Sequence, residues 1–205
     1  MRAAGVEAPL RTLIYIPIVH GPADMGDLRE PVRQVKLRKL GRRGWEQHRQ
    51  SIDELWTGIE GALERLHLAY EKVRVYQDGL PACGREPEIV SELAAAGSRN
   101  HRILLHLKGK GATIMGTESS ELLIQEYQLA KQVLASVHSR ENALSRALLT
   151  RRDQYIADRI NDSLGPGETG ILFLGALHSL SGRLAKDIRI LYPIGRPLAS
   201  GGETA

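Results

Sequence analysis

The sequence predicts an α/β fold, with one domain built on a mainly parallel central sheet and helices covering both of its faces. Five short apolar runs, each the length of a strand, alternate with stretches in which apolar residues recur at helical spacing. The runs are nearly continuous, which is typical of strands buried on both faces of a parallel sheet. Alternation of strands and helices favours such a domain, which we place over residues 1–195. Residues 196–205 are rich in proline, serine and glycine and are expected to form a flexible tail.

The predicted elements follow from apolar periodicity and from capping residues. The strands are expected over residues 12–19, 73–77, 112–115, 170–174 and 188–192. The helices are expected over 52–70, 88–96, 100–107, a long segment from Ser119 or Ser120 to Leu148, and 152–164. Glycines after the second helix and after the last one favour chain reversal there.

The composition is that of a globular protein without disulfides. The chain has 205 residues, 42% of them hydrophobic and 25% charged, which is enough for one domain with a sizeable core. No apolar run reaches the roughly eighteen residues that a membrane-spanning helix needs. Residues 1–9 lack the apolar core of a signal peptide, and Cys83 is the single cysteine. Both features indicate a cytoplasmic protein.

Basic residues are concentrated in residues 29–49 of a chain whose net charge is +4. No known nucleic-acid-binding motif accompanies them, so a nucleic-acid partner is not indicated. We interpret the segment as a solvated loop and helix entry that steers an anionic substrate. The glycines of residues 108–111 match neither a P-loop nor a dinucleotide fingerprint, so no nucleotide cofactor is expected.

Four polar residues stand at the ends of predicted strands. His20 follows the first strand, Asp78 the second, Glu118 the third and His178 the fourth. The carboxyl ends of parallel strands meet at one edge of the sheet, where open α/β sheets bind their ligands. We therefore predict that the four residues share one site.

Two chemistries fit this set of residues. Imidazoles and carboxylates bind divalent metals, and we predict a site for Mn, Co or Zn formed by His20, Glu118 and His178. The same groups can act as general acid and base without a metal. Each residue also has a structural explanation. A histidine at a strand end can bond a loop carbonyl, Asp78 can form a turn, and Glu118 can be a first-turn acid stabilised by the dipole of the following helix.

Arg152 is the fifth candidate site residue. Its helical-wheel position places it on the apolar stripe with Ile156 and Ile160, whereas Arg151 lies on the solvent-facing side. A buried arginine without an anionic partner is costly, so we expect a carboxylate of the site or a developing oxyanion beside it. The alternative is a guanidinium that reaches solvent past the end of the helix.

The remaining histidines are predicted to lie at the surface, because none of them has the spacing of a metal-ligand pair. They are His48, His67, His101, His106 and His138. The predicted site residues are therefore His20, Asp78, Glu118, Arg152 and His178.

The C-terminal third of the chain resembles a known family. The helical segment that begins Arg152-Asp153, followed by a strand that ends Gly175-Ala176-Leu177-His178, is similar to the C-terminal half of the TraB/Tiki/GumN group. That group belongs with erythromycin esterase-like and ChaN-like proteins. Its pattern is an early Gly-x-x-His, an acidic residue after the next strands, an Arg-Asp helix start and a late Gly-x-x-His. The early motif has Pro17 where the group has glycine, and either Asp78 or Glu118 corresponds to the acid.

The resemblance implies a compact α/β domain with a cluster of histidine, acid and arginine at one sheet edge. Some members look like divalent-metal-dependent proteases, some are esterases in which a histidine activates water, and one branch binds haem. Our leading hypothesis is a cytoplasmic hydrolase of ester or peptide bonds. In it, His20 and His178, with Glu118 or Asp78, bind a metal or orient a water, and Arg152 stabilises the oxyanion.

Two hypotheses from other functional classes stay open. The first is a non-catalytic protein that binds a small anion or haem in the same cleft. The second is a regulatory or scaffolding domain with a vestigial site, which interacts through residues 29–49. The substrate expected for the enzyme is a small molecule or a peptide, and the sequence indicates no oligomeric state.

Overall fold

The central sheet has five strands, and all of them are parallel. The computed structural model describes residues 10–19, 22–135 and 143–195. The strands are β1 (Arg11–Ile18), β2 (Val73–Gln77), β3 (Thr113–Met115), β4 (Thr169–Gly175) and β5 (Ile188–Leu191). Their order across the sheet is β3-β2-β4-β1-β5. The α/β prediction is confirmed, and each predicted strand matches an observed one to within one residue at either end.

Helices pack on both faces of this sheet. They are α1 (Arg29–Glu64), α2 (Glu86–Ala95), α3 (Arg99–Gly109), α4 (Ser120–Ala135) and α5 (Ala143–Ser163). Successive side chains of β1 enter opposite cores, since Ile14 and Ile16 pack with α1, α2 and α3, whereas Leu13 and Tyr15 pack with α5. Burial on both faces explains why the strands are continuous apolar runs.

A proline is tolerated in β1 because of where β5 ends. Pro17 lies opposite Leu174 of β4, but β5 pairs only with residues 11–14 of β1. On its other edge, Pro17 therefore has no strand that would need its missing N–H.

Helix α1 is bent sharply at Gly41, where φ is 69° and ψ is 174°. Nζ of Lys36 lies 2.9 Å from Nε2 of His48, twelve residues later, although twelve residues of straight helix would span about 18 Å. The helix therefore folds back into two arms. The basic residues 29–49, predicted as a loop and helix entry, form the whole first arm and the start of the second.

The helix boundaries differ from the prediction at two further places. Helix α5 starts at Ala143 rather than at Arg152, so Leu148 belongs to α5 and not to the preceding helix. Helix α1 ends at Glu64, and Tyr70 lies in a short 3₁₀ turn that packs against the same core. Apolar spacing that continues from one helix into the next, or into a turn, looks the same as an unbroken helix in the sequence.

The strand exits diverge between β2 and β3. The connections that leave β1 and β2 cross the face covered by α1, α2 and α3, whereas the connection that leaves β3 returns to β4 through α5 on the opposite face. Neighbouring strands whose connections leave to opposite faces create a crevice at their carboxyl ends. Among the described helices, none is long and apolar enough to cross a membrane. The predicted tail of 196–205 lies outside the described residues.

Candidate active site

Arg152 is the centre of the polar cluster at this crevice. Its Nε donates to Oε2 of Glu118 at 2.6 Å, and its Nη2 donates to Oε1 of the same carboxylate at 2.7 Å. Nη2 also donates to Oδ1 of Asp78 at 2.9 Å, and Nη1 donates to Glu126. The side chains of Arg152, Asp78 and Glu118 are each exposed by 4% or less. The buried arginine therefore has the anionic partners that the sequence predicts, namely the site carboxylates of Asp78 and Glu118.

Backbone contacts position Glu118 at the exit of β3. The amides of Thr117 and Glu118 both donate to the carbonyl of Leu80, at 2.9 and 3.0 Å. The amide of Gly79 donates to Oε1 of Glu118 at 2.7 Å. The exits of β2 and β3 are thus joined, and the Glu118 carboxylate is held by a backbone amide as well as by Arg152.

Asp78 links the exits of β2 and β4. Its amide donates to the carbonyl of Phe173 at 2.9 Å, which extends the β2–β4 ladder by one residue. Its Oδ2 accepts from the amide of Gly175 at 2.9 Å. One carboxylate oxygen therefore binds the end of β4, and the other faces Arg152.

His178 is held between two carboxylates. Its Nδ1 donates to Oδ1 of Asp153 at 2.6 Å, and its Nε2 lies 3.6 Å from Oδ1 of Asp78. Oδ2 of Asp153 accepts from the amide of Ser179 at 3.2 Å, so Asp153 also holds the loop after β4. Asp153 directly follows Arg152 on α5. One helix therefore supplies both the cation that binds Asp78 and Glu118 and the carboxylate that binds His178.

The surroundings change the proton affinities of these groups. Burial alone would lower the pKa of His178, but the hydrogen bonds to Asp153 and Asp78 outweigh it and raise the pKa to about 9. Burial raises the pKa of Glu118, and the negative charge of Asp78 adds to this, while Arg152 only partly offsets both. The carboxylates raise the pKa of Arg152 in spite of its burial. At neutral pH the site therefore contains an imidazolium and a guanidinium.

The cluster opens into a cleft of about 450 Å³. Asp78, Arg152 and His178 line its polar side. Apolar residues line the cleft as well, namely Ile18, Val19, Leu149, Ala176 and Leu177. Leu177 is 75% exposed although it directly precedes the buried His178. The cleft is therefore accessible, and it combines proton-transfer groups with an apolar lining.

Three of these residues form a candidate metal group. One ligand atom each of Asp78, Glu118 and His178 lies within 4.8 Å of the others, and all three residues are buried. Carboxylate oxygens and imidazole nitrogen are ligands that Mn, Co and Zn accept. Around the cleft, five acidic residues stand against three basic ones, and this excess favours a bound cation; they are Asp24, Asp78, Glu118, Glu126 and Asp153 against Lys36, Arg152 and His178.

The structure brings four of the five predicted site residues together. Asp78, Glu118, Arg152 and His178 form one connected cluster. His20 lies outside the described residues, and in the candidate metal group the third ligand is Asp78. Arg152 stands in the middle of α5, not at a helix start, and its guanidinium points to the site rather than to solvent.

The prediction that all other histidines lie at the surface is wrong for one of them. His67 and His106 are exposed, and His48 is partly buried, but His101 is only 5% exposed. Nδ1 of His101 lies 2.7 Å from Oγ of Ser98, which in turn donates to Asp24. Burial at the first turn of α3 is thus compensated by hydrogen bonds to polar partners. His138 lies outside the described residues.

Sequence reasoning assigned no role in the site to Asp153 or Glu126. Asp153 could have been found from its place next to Arg152 in the helical segment that resembles the TraB/Tiki/GumN group. Neighbours on a helical wheel are about 100° apart, however, so the two side chains are not expected to point the same way. No feature of the sequence distinguishes Glu126, since a half-exposed glutamate on an amphipathic helix is ordinary.

Comparisons with known proteins add no assignment, because no family model, curated protein or solved structure matches the chain. The resemblance to the TraB/Tiki/GumN group stays a prediction. The geometry of the site is therefore the basis on which a function is proposed.

Proposed function

We propose that the chain is a hydrolase that cleaves an ester or peptide bond in the cleft, with His178 as its proton-transfer residue. The observation that carries the proposal is the position of His178, whose ring is fixed by Asp153 on one nitrogen and faces Asp78 with the other. An imidazole oriented by a carboxylate, at the wall of a cleft, is the arrangement of a general acid or base.

The raised pKa of His178 assigns the proton donor in this proposal. At neutral pH, His178 is the imidazolium and acts as the general acid, while Asp78 acts as the base. Asp78 takes a proton from a water as the water oxygen attacks the carbonyl carbon. Nε2 of His178 gives its proton to the leaving oxygen or nitrogen, which departs as an alcohol or amine. The proton then passes from Asp78 to His178, across the 3.6 Å between them, and the resting site is restored.

Arg152 acts mainly as a positioning residue in this scheme. Among the described residues it makes four hydrogen bonds to carboxylates, out of the five N–H donors of a guanidinium. The second hydrogen on Nη1, beside the half-exposed Glu126, is the one that can reach a developing oxyanion in the cleft.

A metal-dependent form of the same proposal uses Asp78, Glu118 and His178 as ligands, in support of which their ligand atoms lie within 4.8 Å of one another. A divalent metal there would supply Lewis-acid activation of a water or of the carbonyl. To serve as a ligand, His178 would first lose the proton that it carries at neutral pH, so that metal affinity would rise with pH.

The first experiment combines metal content, thermal shift and a substrate screen. Purified wild type, His178→Ala and the control His67→Ala are titrated with Mn, Co and Zn and then tested on ester and peptide libraries. His67 is exposed and distant from the cluster in sequence, so its loss should change neither readout. We expect wild type and His67→Ala to hydrolyse a substrate, and His178→Ala to lose at least about 100-fold in rate.

The outcomes separate the two forms of the proposal. Stoichiometric metal binding that His178→Ala abolishes supports the metal-dependent form, whereas turnover in the presence of chelator supports the metal-free form. Hydrolysis that persists in His178→Ala would rule out the role of His178. If the cleft binds a ligand without turnover, including a haem that gives a Soret band, the non-catalytic binding role replaces the hydrolase.

A further inference from the structure

A second recess adjoins the cleft at Asp24. It has a volume of about 260 Å³, and Asp24 lines both spaces. Four arginines line it, together with two indole rings and the Gly97–Ser98 turn. These residues are Arg29, Arg33, Arg49, Arg99, Trp45 and Trp56.

The bend of α1 at Gly41 assembles this recess. Arg29 and Arg33 belong to the first arm of the helix, and Arg49 belongs to the second. In a straight helix, Arg29 and Arg49 would stand about 30 Å apart. The chain therefore brings together guanidinium groups that its local structure alone would separate.

The charge of the recess is not balanced by its own lining. Four arginines face two aspartates, Asp24 and Asp53. Arg99 already has an anionic partner, because its Nε and Nη2 donate to Glu60 at 3.0 and 2.5 Å. Arg33 makes a surface pair with Glu30, and such pairs contribute little. Arg29 and Arg49 make no ion pair within the part of the chain that the structure describes.

We infer that this recess is a binding site for the phosphate or carboxylate group of a small molecule. Guanidinium groups bind such planar or tetrahedral oxyanions through paired N–H donors. Trp45 and Trp56 form an apolar wall that suits a ring attached to the anion. The site is separate from the hydrolytic one, and the inference does not depend on the proposed reaction.

The test is a titration followed by tryptophan fluorescence and by calorimetry, with phenyl phosphate, inorganic phosphate and benzoate as separate probes. Arg29→Ala and Arg49→Ala should each weaken phenyl phosphate binding at least about fivefold, and raised salt should weaken binding to the wild type. If phenyl phosphate binds more tightly than inorganic phosphate, the phenyl ring contacts the indole wall. Benzoate distinguishes a carboxylate ligand from a phosphate ligand.

Two controls keep the result specific. Arg42→Ala removes an exposed arginine of α1 that does not line the recess, so it should leave affinity within twofold of wild type. His178→Ala should also leave phenyl phosphate binding unchanged, which separates this site from the hydrolytic one. Melting curves show whether each variant is folded. Equal losses in Arg42→Ala and Arg49→Ala, or no binding of any probe by folded wild type, would overturn the inference.

Discussion

The guanidinium of Arg152 binds both carboxylate oxygens of Glu118, at 2.6 and 2.7 Å, in a part of the protein where neither side chain is more than 4% exposed. Such a two-point contact fixes the orientation of both groups. Burying the pair costs desolvation energy, which offsets much of the Coulombic attraction between the two groups. Loss of either partner is costly because the other is left buried with an unpaired charge.

Replacement of Arg152 should therefore destabilise the fold strongly. Arg152→Met keeps most of the side-chain volume but leaves Asp78 and Glu118 without their cation, and we expect a loss of about 3–5 kcal/mol at neutral pH. Arg151→Met is the matched control, because Arg151 is exposed and its side chain makes a single hydrogen bond among the described residues, to Gln125, and it should cost less than about 1 kcal/mol. Urea denaturation measures both. Equal effects would show that the guanidinium is not the centre of the cluster.

Stability should fall as pH rises through the titration of His178. Its folded pKa of about 9 lies above the ordinary value of 6.5, so its contribution is full below pH 6.5 and is lost between 6.5 and 9. The size of this loss is on the order of 3 kcal/mol at most. We expect wild type and His67→Gln to lose stability across this window in chemical denaturation, and His178→Gln to lose much less. Parallel curves for wild type and His178→Gln would contradict the prediction.

Gly116 is expected to tolerate no side chain, because an added Cβ would clash with Ala82 and would lie 2.5 Å from Oε1 of Glu86. This glycine lies two residues before Glu118, so Gly116→Ala should move the exit of β3 and lower both the melting temperature and any activity of the site. The control is Gly109→Ala in α3, where an added Cβ meets nothing within 4 Å. It should be neutral or slightly stabilising. Thermal unfolding of the two variants checks the contrast.

The bend of α1 should depend on Gly41. Its positive φ of 69° is strained for residues with a side chain, so Gly41→Ala should cost roughly 1 kcal/mol and weaken the Lys36–His48 contact. Gly58→Ala, in the exposed and regular part of the same helix, should instead stabilise by about 0.5–1 kcal/mol. Thermal unfolding with tryptophan fluorescence reports both, since Trp45 packs beside the bend. Stabilisation by Gly41→Ala would refute the folded-back arrangement.

Much of the site could be predicted because most of its residues stand at the ends of strands. Asp78, Glu118 and His178 all come directly after, or within three residues of, an observed strand, and parallel strands place their carboxyl ends at one edge. The inward position of Arg152 followed from the 3.6-residue period of its helix. Partners such as Glu126 could not be found this way, because its surface position on α4 is compatible with many neighbours.

The sequence by itself determined the α/β class, the five strands and the set of polar residues at their ends. Those features depend on local periodicity and on the geometry common to all parallel sheets. Only the tertiary structure decided that β4 lies between β1 and β2, that Arg152 binds Asp78 and Glu118, and that Asp153 orients His178. Strand order and ion pairing arise from contacts between residues far apart in the chain. The folding back of α1 could not be predicted from the sequence either, since one glycine in a basic segment does not determine how the next arm packs.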